Sequence, residues 1–167
     1  MSTPTNRMKL RQLFERLGAK DPDAWAASQV DEGSNQLHRF LFLREAWAKV
    51  ILDDNNDWIT QQIEAVKADP EAPFAGTGLA LERLLAVGAQ NRDLTDLVRG
   101  MQARLLFDLC YLLDDPSFDE AELAEVGWCL VETDSQFRPT GNTIGGLYES
   151  VLDTDPTGRE MRPRHAA

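Results

Sequence analysis

The residues in this chain best suited to chemistry are its clustered carboxylates. Asp53-Asp54-Asn55-Asn56-Asp57 forms a D-D-x-x-D string. On a helix this spacing presents several hard oxygen ligands within two turns, the donor set that Mg²⁺ prefers. Glu122-Leu123-Ala124-Glu125 is an E-x-x-E pair, which places two carboxylates one helical turn apart. Neither pattern is accompanied by the rest of a metal site. Asn55-Asn56 breaks a helix more readily than it continues one, so the first string is expected to be an acidic interhelical turn, with Asn56 or Asp57 capping the next helix. The second lacks a downstream E-x-x-D partner, because Glu149 lies four residues before Asp153 rather than three.

Two groups of all-helical enzymes use such patterns, and this chain departs from both. The D-D-x-x-D string resembles the motif of isoprenoid-diphosphate synthases, which are larger, carry a second acidic motif and hold the diphosphate with basic residues. Glu122 and Glu125 are similar to the first half of the site in small all-helical nucleotide pyrophosphohydrolases, whose second half has no counterpart here. Other reactive residues are scattered. His38 and His165 are the only histidines, and neither follows a glutamate by three residues, as the paired E-x-x-H motifs of a di-iron bundle require. With Cys110 and Cys129 they make no zinc pattern. The segment Thr140-Gly-Asn-Thr-Ile-Gly-Gly146 offers backbone amides to an anion but lacks the G-K-[ST] ending of a phosphate loop, so it reads as a flexible turn. No catalytic residue, metal or cofactor is expected.

The distribution of charge says more. Net charge is −11, yet the first twenty residues carry five bases against the single acid Glu15. Leu105 to Phe137 carries nine acids and no Lys, Arg or His. Six of these, Asp114, Asp115, Asp119, Glu120, Glu122 and Glu125, are expected to crowd a turn and the start of one helix, and they form the candidate binding surface. The helix dipole favours two or three acids there, by about 0.3–1 kcal/mol each. The excess repels itself, which is the pattern of a surface kept negative for a positively charged partner. The expected function is a non-enzymatic acidic protein-binding module, such as an inhibitor, immunity protein or adaptor engaging a basic protein. The alternative is a Mg²⁺-dependent all-helical enzyme acting on a phosphorylated or diphosphate small molecule. Nucleic-acid binding through a broad basic face is disfavoured by the same charge.

Helices must position these residues, because apolar spacings of three and four dominate and strand-like alternation is nearly absent. Helices are predicted over Arg7–Leu17, Asp21–Val30, Leu37–Leu52, Trp58–Ala68, Thr77–Val87, Asn91–Asp115, Ser117–Thr133 and Ile144–Leu152. The third is a central helix. The sixth sets Leu94, Leu97, Met101, Leu105, Leu109 and Leu112 along one face and is expected to bury it. Ser117 and Glu120 form a capping-box pattern. The fold class is all-α: one domain over residues 1–155, a bundle of six to eight helices, with a loose tail over 156–167. The recurrence of Asp-Asp and of F-x-x-T-G at Phe74 and Phe137 raises a duplication, with 37–87 and 94–152 as two three-helix units. Both cysteines fall in apolar stretches and read as buried free thiols. With no signal-like or membrane-length apolar run, a cytoplasmic protein is expected.

Overall fold

The computed structural model describes residues 3–164. Among them are seven α-helices, one 3-10 turn and a two-stranded sheet. In chain order the elements are α1 (Thr3–Arg16), α2 (Pro22–Asp31), α3 (Gln36–Trp47), α4 (Asp57–Ala68), α5 (Ala75–Ala86), α6 (Asn91–Asp114), the 3-10 turn Ala121–Leu123, β1 (Leu130–Thr133), β2 (Pro139–Ile144) and α7 (Leu147–Ser150). Helix dominates, as the periodicity predicts. The seven helices fall within the six to eight expected, and the chain divides into two compact units: residues up to Trp47 together with those from Leu105 on, and Ala48–Arg104. No helix of the described residues is long and apolar enough to cross a membrane.

The first unit is organised by aromatic packing. Gly18, at φ 87°, ends α1 in a conformation that favours glycine, and Asp21 opens α2 by accepting from the Ala24 amide at 2.9 Å, with Pro22 in the first turn. The hairpin brings Phe14 and Trp25 against Phe40 of α3, with ring centroids 5.3–5.9 Å apart. Trp47 donates to the Val151 carbonyl at 2.9 Å, and Leu43, Leu147 and Val151 are wholly enclosed. Residues 156–164 are not a loose tail. They turn around the buried Asp155, which accepts from the Thr157 amide and hydroxyl and from the Met161 amide.

The largest departure from expectation lies between Asp115 and Leu152. The helix predicted from Ser117 to Thr133 is replaced by irregular chain, one 3-10 turn and β1. β1 pairs antiparallel with β2, Leu130 opposite Ile144 and Val131 opposite Thr143. Asp134 closes the turn by accepting from the Gln136 and Arg138 amides, and Phe137 there adopts φ 60°. Its pairing with the Arg138 guanidinium at 2.7 Å holds the Asp134 carboxyl below the usual carboxylate range. The duplication therefore does not hold: Thr77 lies in α5, whereas Thr140 lies in β2. Pro139 has no N–H to donate and disfavours helical backbone at Arg138 before it, whereas no proline follows Phe74 where α5 begins.

The second unit pairs α4 with α5. Gly78 of α5 lies so close to α4 that a Cβ would collide with the Gln62 carbonyl. Ile59, Leu81 and Leu94 form its core. Thr95 is fully buried, donating to Asn56 at 2.6 Å and accepting from the Trp58 indole at 2.9 Å. Arg99, also buried, donates to the Ile51 carbonyl.

Candidate functional site

The structure separates the six predicted acids into one inward residue and five outward ones. Asp114 ends α6 and turns back toward the chain, accepting from the Tyr148 amide of α7 at 2.9 Å, while its other oxygen is enclosed. Its task is to tie α6 to α7. Asp115, Asp119, Glu120, Glu122 and Glu125 are exposed, and among the described residues none forms an ion pair. Asp115 accepts from the Tyr111 hydroxyl at 3.2 Å, and that bond is the main reason the phenol is pushed above its ordinary range. The capping box is not formed, because Ser117 stays outside any helix and Glu120 precedes only a three-residue 3-10 turn. The macrodipole argument for these acids thus falls away, leaving their mutual repulsion without that offset.

Aromatic residues fix the course of this acidic segment. Pro116 prevents α6 from running on smoothly, and beyond it Phe118 and Trp128 stack edge to face at 5.5 Å. The Trp128 indole donates to the Leu112 carbonyl at 2.8 Å, satisfying one of the carbonyls that every helix C-terminus leaves open. The acids therefore leave from, and return to, the end of α6.

Beside them is a feature that the sequence places in the core and the structure does not. Leu105, Leu109 and Leu112 lie on one face of α6 by their spacing of four and three, and are 59%, 49% and 48% exposed. Earlier on the same helix Leu97 and Met101 are exposed as well, while Leu94 and Ala103 are buried. Cys110 turns inward, and burial, with a smaller contribution from Asp114, pushes its thiol up to about 11. Cys129, expected to be buried, is exposed.

No protein-family model, curated protein or solved structure matches this chain.

The alternative sites are less suited to reaction. Asp53 to Asn56 of the D-D-x-x-D string form the loop before α4 and Asp57 opens the helix, with Asn55 accepting from the Asp57 amide and Asn56 engaged by Thr95. Among the described residues no three His, Cys, Asp or Glu side chains assemble as metal ligands do. A polar cleft of about 660 Å³ between α3 and the hairpin holds His38, Asn35, Glu132 and Asn142. One Glu132 oxygen accepts from both amides at 3.1 Å, the other faces His38 Nε2 at 3.9 Å, and His38 Nδ1 meets Asn35 at 2.5 Å. These groups satisfy one another and fasten the hairpin to α3. A second cavity, about 390 Å³, lies beside Trp25, Gln36 and Arg39, but the unpaired Gln36 Oε1 and Arg39 Nε are enclosed by protein rather than open to it.

Proposed function

We propose that this chain is a non-enzymatic binding module whose acidic face, formed by Asp115, Asp119, Glu120, Glu122 and Glu125, engages a basic protein as an inhibitor or adaptor would. The observation that carries the reading is that all five are exposed and, among the described residues, without a counter-ion. An unneutralised cluster raises the local potential, speeds encounter with a cationic partner and repels anionic ones. The exposed leucines beside the acids supply apolar area for the bound state. Free thiols at Cys110 and Cys129 fit a reducing, cytoplasmic setting for such a complex.

Affinity capture from cell extract tests the reading. Wild-type protein is compared with the charge-reversed variant Asp115→Lys/Glu122→Lys/Glu125→Lys. A basic protein retained by the first, released by salt and not retained by the second is the expected result. Partners that are acidic, or that bind both forms alike, would refute it.

A further inference from the structure

The exposed face of α6 specifies the shape of the partner as well as its charge. Leu105, Leu109 and Leu112 form a ridge along two turns, about 10 Å at 1.5 Å per residue. Each leaves about half its surface in water, and at its far end Trp128, itself 41% exposed, closes against the Leu112 carbonyl. Asp115 follows directly, with the remaining acids on the segment that Trp128 returns to the helix. The negative end of the α6 dipole points the same way. Apolar ridge and acidic rim are thus contiguous at one end of one helix.

A ridge of i, i+4 side chains is complemented by the groove of a second helix, whose own apolar row repeats at three and four residues. The rim requires that row to be flanked by lysine or arginine. Two properties of this chain argue against a second copy as the occupant. Apposing two such faces in parallel would bring two sets of unpaired acids together. The chain's own basic helix, α1, has already spent its apolar face, since Phe14 is fully buried and Leu10 packs on the same cluster.

We infer that the Leu105–Leu109–Leu112 ridge of α6 and its acidic rim form a docking seat for a basic amphipathic helix of a partner protein. This rests on the acidic-face reading above and adds the partner's secondary structure to it.

The test uses three synthetic peptides of equal length: a helix with leucines spaced three and four apart and lysines elsewhere, a scrambled isomer of the same composition, and the same helix with glutamine for lysine. Binding to the full chain is followed by Trp fluorescence and calorimetry. Wild type should prefer the basic helix to its scramble by about tenfold or more. The variant Leu105→Glu/Leu109→Glu should lose that preference while still binding both basic peptides in a salt-sensitive way, and Leu105→Ala/Leu109→Ala should fall between. Circular dichroism establishes that both variants keep wild-type helicity, which is expected because the substituted side chains are exposed. Equal affinity for helix and scramble overturns the docking seat but leaves the acidic-face reading standing. Binding of the glutamine helix as tightly as the lysine helix overturns both. A wild-type dimer in sedimentation that Leu109→Glu dissociates would assign the ridge to a second copy and overturn the proposal.

Discussion

Trp128 donates its indole N–H to the carbonyl of Leu112, sixteen residues earlier, at 2.8 Å. This one bond converts the segment that carries the acids from a free loop into a strap on the end of α6. Replacing Trp128 by Phe keeps a ring against Phe118 and removes the donor. The variant should lose about 1 kcal/mol of stability, and amides between Asp115 and Cys129 should exchange faster with solvent. Unchanged exchange would mean that the strap is held by other contacts.

The close approach of α4 and α5 depends on the missing side chain at Gly78. Gly78→Ala should cost about 1–3 kcal/mol, because the new methyl group meets the Gln62 carbonyl and the Val66 side chain. Gly100, inside α6 with nothing near its added Cβ, should instead gain about 0.5–1 kcal/mol on substitution by alanine. Denaturant unfolding of the two variants checks both signs, and equal effects would contradict the packing.

The two thiols should behave oppositely. Cys129, exposed, should react with a thiol reagent near neutral pH without unfolding, and Cys110 only as the chain opens. Burial raises the folded pKa of Cys110, so stability is full below the unfolded thiol's pKa and falls as pH climbs toward about 11. Cys110→Ala should lessen that alkaline decline. A single fast reaction at both cysteines would contradict the burial of Cys110.

At acid pH the sign reverses for Asp134, whose folded pKa is lowered by Arg138 and by the turn amides. Its contribution is present above the unfolded carboxyl's pKa and is lost as pH falls through the lower folded value. Chemical shifts of the Asp134 carboxyl against pH should show a midpoint below the ordinary carboxylate range. A midpoint at the ordinary value would detach Asp134 from the hairpin turn.

What the sequence discloses is local. Asp21-Pro22 and Gly18 announce the α1–α2 turn, and the apolar spacing from Leu37 locates α3, because caps and periodicity act over a few residues. The β1–β2 hairpin escapes such reading. Its strands are short, Thr140 and Thr143 face water, and the pairing is settled by partners six to fourteen residues apart. The α6 stripe is visible as a pattern, but periodicity identifies a face without saying what covers it, so leucines expected in the core stand in solvent. That residues 114–125 are rich in acids is likewise legible. The inward turn of Asp114 is not, because it depends on the Tyr148 amide that folding brings to it.

Capture of a cationic partner by the unpaired acids on this face is read from the association rate. The wild-type chain and its Asp115→Lys/Glu122→Lys/Glu125→Lys variant are mixed in stopped flow with the basic amphipathic peptide, while ionic strength is raised from about 0.01 M to about 1 M, a range over which the screening length shrinks from about 30 Å to about 3 Å. The wild-type rate should fall by about tenfold or more, whereas the variant starts slow and responds little. Equal rates for the two proteins at low salt, or a wild-type rate indifferent to salt, would contradict it.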